Sequence, residues 1–355
     1  MNIRYHFTLP FSLLLLLVLA LTAVPEGTYA QSDHDEEPVF EQFKQNLKND
    51  YLSVSALLQT VGDYQYERNS GFNGFSIGNA RLAISGEFDR GFGYKLQTNV
   101  IKAAPVLDAN VYYRSSPGFG VTAGLFKSPF SYEYLTGAAA IDFVNRATMV
   151  NQLAPQRQVG VQVSGETKDG ILQYSLGAFN GNGFGINRNS DDQMLYVGRL
   201  EARFDTDRGQ SSDQIIFGVN ASREIKDQVA TSGNIRSTFM GEQMLLGTDV
   251  RITQGRLFLA GEFIYSWLEE NGGNNRQFNP FGYHATAGYY VTSNTQLLVR
   301  WDYFDGATLA PGSESVLAGI NIFPTRISEI QLNYVIPTER PVEFSQVLLN
   351  LQVSI

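Results

Sequence analysis

From Tyr51 to Ile355 the sequence alternates apolar and polar residues with a period of two, and the pattern runs to the final residue. In the closing stretch, QVLLNLQVSI, Val347, Leu349, Leu351, Val353 and Ile355 are apolar, while Gln346, Asn350, Gln352 and Ser354 are polar; Leu348 breaks the alternation. Successive side chains of a β-strand point to opposite sides, so a period of two specifies a strand with two unlike faces. At the edge of a soluble sheet such a strand needs charge, proline or a bulge to stop it pairing with another chain. This stretch has none of them. It fits a strand without an edge, the last of a closed barrel, paired with the first near LSVSALLQT. In a membrane barrel the apolar row meets lipid and the polar row meets water.

The alternation recurs along the chain. In LYVGRLEARFD, Gly198, Leu200, Ala202 and Phe204 oppose Arg199, Glu201 and Arg203; in QLLVRWDYF, Leu297, Val299, Trp301 and Tyr303 oppose Gln296, Arg300 and Asp302. In LDANVYYR, Leu107, Ala109, Val111 and Tyr113 oppose Asp108, Asn110, Tyr112 and Arg114. Sixteen such segments are present, centred near residues 56, 82, 96, 110, 123, 162, 175, 200, 219, 248, 262, 286, 299, 319, 332 and 350. Each is long enough for a tilted strand to cross a bilayer, and the count is even, as a closed antiparallel barrel requires. The connections alternate in length. Short ones lie near 89–91, 114–118, 166–170, 253–255, 292–294 and 323–326, and longer ones at 63–73, 128–156, 180–193, 223–239, 268–279, 305–314 and 336–343, with KAAP at 102–105 as the exception. A β-sandwich imposes no such parity. The expected fold is therefore all-β: a 16-stranded antiparallel transmembrane β-barrel with short periplasmic turns and longer outer loops.

The first thirty residues differ. Arg4 precedes an uncharged, Leu-rich run from Phe11 to Val24, and Thr28 and Ala30 are small residues before Gln31. This reads as a signal peptide over 1–30, followed by an acidic periplasmic leader over 31–50 and the barrel over 51–355. Cysteine is absent, so the exported chain relies on no disulfide. The formal charge is −9, which disfavours nucleic acid as a partner. The expected location is the bacterial outer membrane, with its lipid as one partner.

Assigned by the same parity, the water-facing wall carries Arg81, Lys95, Arg114, Arg199, Arg203, Arg251 and Arg300, together with Glu87, Asp89, Asp108, Glu201, Asp249, Glu262 and Asp302. Charge at mid-depth on the lipid face is costly, so these groups face water or one another. Sixteen strands leave an aqueous channel, in which some of them set ion selectivity. Aromatics at strand ends (Tyr94, Tyr113, Phe204, Tyr265, Trp267, Trp301, Tyr303 and Tyr334) suit interfacial girdles. The connection at 128–156 is too apolar for a surface loop: Leu135, Ala138, Ala139, Ala140, Ile141, Phe143, Val144, Met149 and Val150 all call for burial. It is expected to fold into the barrel and narrow it, carrying Glu133, Asp142 and Arg146, with Lys127 and Arg157 at its roots.

The block VTAGLFKSPFSYEYLTGAAAIDFVNRATMVNQLAPQRQVGVQVSG, preceded by RLAISGEFDRGFGYKLQTNV and LDANVYYR, resembles the phosphate-selective porin O and P family over roughly residues 75–165. The resemblance implies a sixteen-stranded porin with an inward-folded loop, assembled as a homotrimer. It also implies passive diffusion of small hydrophilic solutes or inorganic anions such as phosphate. In phosphate-selective members basic residues form a ladder down the channel. Lys127 lies in the matching LFKSPFS, and Arg199 and Arg203 are spaced as ladder members would be, but Glu201 lies between them. Two features depart from the family's pattern. The wall charges balance, and the chain ends in Ile355 where such barrels usually end in an aromatic residue. A general channel and an anion-selective one both remain open.

Two other classes compete. One is a plugged, non-conducting barrel acting through its loops as an adhesin or surface-interaction protein. The other is a barrel enzyme, which would have to use His284, because His6 lies in the signal segment and His34 in the leader. GNGFG at 181–185 has neither the βαβ context nor the Lys-Ser/Thr pair of a phosphate-cradling loop. NRNSDD at 187–192 matches no defined calcium loop. No cofactor or metal is expected from these patterns.

Overall fold

A computed structural model describes residues 48–49, 51–183, 186, 188–205, 213–231, 233, 235–271 and 276–355. The signal segment and nearly all of the acidic leader lie outside them. Sixteen long strands follow in order: β1 (Leu52–Gln65), β2 (Gly74–Glu87), β3 (Phe92–Asn99), β4 (Val106–Ser116), β5 (Phe119–Lys127), β6 (Arg157–Glu166), β7 (Leu172–Phe179) and β8 (Leu195–Asp205). After them come β9 (Gln214–Val229), β10 (Phe239–Gln254), β11 (Leu257–Glu270), β12 (Phe281–Thr292), β13 (Thr295–Asp305), β14 (Ser313–Thr325), β15 (Ser328–Pro337) and β16 (Gln346–Ser354). Every strand pairs antiparallel with its neighbours in sequence, and β16 pairs with β1, from Gln346 opposite Gln65 to Ser354 opposite Leu57. Two short pieces, Lys48–Asn49 and Arg276–Phe278, extend the sheet beside β1 and β11. The barrel therefore has no open edge, which accounts for a closing strand without protective charge. All sixteen centres expected from the alternation fall inside these strands.

The two faces separate as the period requires. On β16, Leu351, Val353 and Ile355 are exposed on the outside, and Leu348, Asn350 and Gln352 are buried inside. Leu348, which breaks the alternation in sequence, is an apolar residue on the inner wall. On β8, Tyr196 and Leu200 face outward while Arg199 and Glu201 are buried inside. The aromatics gather at the strand ends. Tyr265, Trp267, Phe281, Tyr283, Trp301 and Tyr303 form a contiguous set on β11 to β13, with Tyr265 and Trp267 rings 4.5 Å apart. Two further ring pairs, Phe88–Tyr94 and Phe92–Tyr113, lie beside the turn between β2 and β3.

The connection expected over 223–239 is shorter in the structure, because β9 runs to Val229 and β10 starts at Phe239. There the outward face carries Arg223, ion-paired with Glu242 at 2.5 Å. Once a strand rises past the lipid its outer face is wetted, so the apolar–polar contrast fades although the pairing continues. The turn between β2 and β3 closes on Arg90 and Gly91, both at positive φ (68° and 79°). A Cβ on Gly91 would fall 2.1 Å from the Arg114 carbonyl oxygen, so only glycine fits.

Candidate functional site

The long connection between β5 and β6 enters the barrel, and its own residues explain the path. Ser131 caps a short helix, α1 (Tyr132–Leu135), by accepting a hydrogen bond from the Tyr134 N–H at 3.1 Å. A second helix, α2 (Thr148–Leu153), buries Met149, Val150 and Leu153. With Phe130, Ala147 and Ala154 they pack against Phe179, Leu195, Val197, Leu245, Ile264, Leu268 and Phe304 of the inner wall. Phe143 packs separately on Phe258, Leu298 and Leu317. The loop's apolar residues thus fill one side of the lumen. Of those expected to be buried, Ala140 alone is exposed.

Close approach is made possible by glycines on the wall. The Phe143 ring lies against Gly319 and the Phe130 ring against Gly247; in each case a Cβ on the glycine would fall 3.1 Å from the ring. A Gly319→Leu variant is expected to evict Phe143 at a cost of about 1–3 kcal/mol, the usual range for overpacking. A larger single-channel conductance with unchanged barrel circular dichroism is the expected readout.

Between the helices, inward-facing amides and a carboxylate hold the loop backbone strand by strand. Gln59 on β1 donates to the Ala138 carbonyl at 3.2 Å, Gln352 on β16 to that of Ala139 at 3.0 Å, and Gln331 on β15 to that of Ile141 at 2.9 Å. Asn321 on β14 donates to the Asp142 carbonyl at 2.8 Å, while Asn333 accepts from the Val144 N–H at 2.8 Å and Asp302 on β13 from the Thr148 N–H at 3.0 Å. Residues 138–148 therefore run around the wall from β1 back to β13. These buried loop backbone groups find partners in the barrel rather than in a ladder of their own. The amides were legible as inward-facing polar residues, but nothing in their spacing marks them as loop anchors.

The expected pore-lining charges fall into three groups. Arg199, Glu201, Arg203, Arg251, Arg300, Glu133, Asp142 and Asp302 lie on the wall or loop of the packed side. Arg199 is 5% exposed and bound by Glu201 and Asp249, each at 2.6 Å. Arg203 pairs with Glu201 at 2.5 Å, and Arg251 with Asp142 at 3.1 Å. Arg300, 1% exposed, donates to Glu133 at 2.7 Å and lies over the Phe143 ring at 4.5 Å. Burial alone would raise the Glu133 pKa. Arg300, His284 and the Ala147 N–H (2.9 Å) together outweigh it, and the carboxyl is held below its usual range.

The second group is Lys127, Arg146, Arg157, Arg81, Lys95 and Asp108, on the opposite side. The Lys127 ammonium donates to the carbonyls of Tyr134, Leu135 and Thr136 at 2.7, 3.1 and 2.9 Å, capping the end of α1. Arg146 donates to the carbonyls of Glu133 and Thr136 at 2.9 and 2.8 Å. Neither cation has a carboxylate partner within ion-pair distance among the described residues. Asp108 accepts from Arg157 and pairs with Lys95, each at 2.8 Å. Arg81 donates to Asn79 at 2.8 Å through Nε, and its two terminal nitrogens have no protein partner among the described residues. An opening of about 380 Å³ lies between the loop's 135–139 segment and the wall of β1 to β6. Its charged lining is Arg81, Lys95, Lys127, Arg157 and Asp108, four cations against one carboxylate.

Arg114 stands apart from both, over the Tyr112 ring at 5.5 Å near the turn between β4 and β5.

Comparisons with known proteins agree with this architecture. The family described as phosphate-selective porin O and P matches residues 44–303. Among solved structures, an anion-selective porin from Comamonas acidovorans superposes with a TM-score of 0.62 at 11% identity, covering 86% of this chain and 98% of that one. OmpF of Salmonella typhi, in complex with daunomycin, gives 0.56 at 11%, covering 86% and 97%. The outer membrane channel DcaP of Acinetobacter baumannii gives 0.55 at 11%, with the same coverage. At these identities the likeness is one of fold. No curated protein matches the sequence.

Proposed function

This chain belongs to the phosphate-selective porin O and P family, and from that premise we propose that its barrel passes small anions in preference to cations, along the opening between the inward loop and the wall of β1 to β6. The family and the fold are those of an outer-membrane porin for passive diffusion of small solutes, and they support reading the chain as a channel rather than an enzyme. The preference is carried by one observation: four cations, Arg81, Lys95, Lys127 and Arg157, against one carboxylate, Asp108, line the opening. Carboxylates of the packed side are engaged away from the opening. Glu201 and Asp249 neutralise Arg199, Asp142 neutralises Arg251, and Glu133 neutralises Arg300. A passing ion therefore meets a surface on which basic groups outnumber the single carboxylate, which favours anions. Arg and Lys also suit phosphate oxygens. His284 is 5% exposed beneath the loop, a poor position for meeting a substrate.

The finer assignments belong to the same reading. Residues 1–30 act as a cleaved signal peptide, residues 31–50 form a periplasmic leader, and the barrels associate as homotrimers in the manner of the family. Arg199, Arg203, Arg251 and Arg300 serve the wall and the loop, and the basic group at the opening serves conduction.

The test is single-channel recording of the purified protein in a planar bilayer under a salt gradient, followed by titration with phosphate. A reversal potential on the anion side, with chloride current reduced by phosphate, is expected. A cation-side potential would overturn the anion reading, and an absence of channels would favour the plugged barrel.

A further inference from the structure

Three inward-facing residues occupy one row across adjacent strands: Glu262 on β11 lies opposite His284 on β12, which lies opposite Asp302 on β13. Glu133 of the loop comes down onto this row. The His284 Nε2 is 3.8 Å from one Glu262 carboxylate oxygen and 3.9 Å from a Glu133 oxygen, too far for a hydrogen bond to either. One donor atom from each of the three residues lies within 4.8 Å of the others. His284 is 5% exposed, its Nε2 has no partner, and the second Glu262 oxygen has none either. Buried polar atoms without partners are costly, and two of them belong to this one cluster. A cavity of about 20 Å³ borders all three residues, room for one small occupant.

We propose that Glu133, Glu262 and His284 bind one divalent transition-metal ion of the zinc class, which ties the inward loop to the barrel wall. The inference rests on the fold and this cluster, not on the anion preference of the pore. The donor set is one imidazole and two carboxylates, which suits zinc better than calcium or magnesium, whose ligands are all oxygen. Bonds of about 2.0–2.2 Å at a tetrahedral angle place two donors roughly 3.3–3.6 Å apart, so the observed 3.8 and 3.9 Å close onto an ion with side-chain shifts of a few tenths of an ångström. The adjoining cavity leaves space for a water as fourth ligand. Charge also favours a dication. Glu133, Glu262 and Asp302 supply three negative charges, and Arg300 beside Glu133 together with Arg146 near Glu133 and Glu262 supplies two positive, so the cluster stays net negative until a cation binds. The Glu133 oxygen nearest His284 also accepts from the Ala147 N–H. That bond orients the carboxylate and leaves a lone pair for the metal. Because Glu133 comes from the loop and its partners from β11 and β12, the ion would fasten the loop where it crosses the lumen.

The experiment uses the untagged full chain carrying His34→Ala, since His34 in the acidic leader offers a competing ligand. Zinc is the probe, with bound metal counted by elemental analysis after equilibrium dialysis. One zinc per barrel is expected. His284→Ala and Glu262→Gln should each weaken binding by at least about 100-fold, more than the loss of an orienting neighbour usually costs. No bound zinc, or equal binding in parent and both variants, would overturn the proposal. Should the variants fail to insert, X-ray absorption at the zinc edge of the loaded parent decides. An imidazole shell with carboxylate oxygens supports the site, and a shell of water oxygens alone refutes it.

Discussion

An Arg81→Glu/Lys95→Glu double variant is expected to reverse the ion preference of the channel. The opening holds four cations and one carboxylate, a sum of +3, and the two changes make it two cations and three carboxylates, a sum of −1. Even in water, a unit charge 4 Å from a monovalent ion contributes about 1 kcal/mol, so each reversal moves the ion's energy by about 2 kcal/mol. Each step is therefore worth more than a factor of ten in relative permeability. The barrel should tolerate the pair of changes. Arg81 makes one side-chain hydrogen bond, to Asn79, and Lys95 one exposed ion pair, to Asp108, which keeps Arg157 as its partner. The readout is the reversal potential under a salt gradient, which should change sign. An unchanged potential would show that ions cross the loop elsewhere and would move attention to the packed side.

Removing Arg300 should release the loop. Arg300 joins three things at once: the Glu133 carboxylate at 2.7 Å, the Thr286 hydroxyl at 3.0 Å and the face of Phe143 at 4.5 Å. Arg300→Ala leaves Glu133 buried and without its charge partner. Breaking one side of a buried pair costs about 3–5 kcal/mol, far above the value of a surface pair. The sixteen-stranded ladder does not depend on that contact, so the loop takes the loss. Larger and noisier single-channel currents are expected, with new protease cleavage between Gly137 and Ala147. Glu133→Gln added to Arg300→Ala removes the stranded charge and should recover part of the parental conductance. Parental currents in the single variant would mean that the amides of Gln59, Gln331, Asn321 and Gln352 suffice to hold the loop.

The sequence was a good guide wherever one residue's neighbours decide its fate. Parity places Arg199, Glu201 and Arg300 on the inner face, where all three are buried; the apolar content of 128–156 places that stretch inside the barrel, and Phe143, Met149 and Val150 are buried against its wall. Parity could not sort the inner charges into spent and available. Arg199 and Arg203 have the spacing of a ladder, but they share Glu201, and Asp249, fifty residues from Arg199, completes the network. Lys127 looks like any strand-end lysine until three carbonyls of the folded loop surround it. Glu262 and His284 carried no motif at all. They adjoin only through strand pairing, and Glu133, 129 residues before Glu262, reaches them from the loop.

The alternation, its persistence to Ile355, the even strand count and the parity of the connections by themselves determine a closed membrane barrel. Each is a local pattern, and a strand's two faces follow from backbone geometry alone. What only the tertiary structure decides is which way the loop leans. Its apolar residues pack onto the wall of β7, β8, β10, β11, β13 and β14, the side of the paired charges, and its 135–139 segment leaves open space beside β1 to β6, bordered by Arg81, Lys95, Lys127 and Arg157. Burial and pairing of a charge depend on groups brought together across the lumen, and a period of two carries no information about those distances.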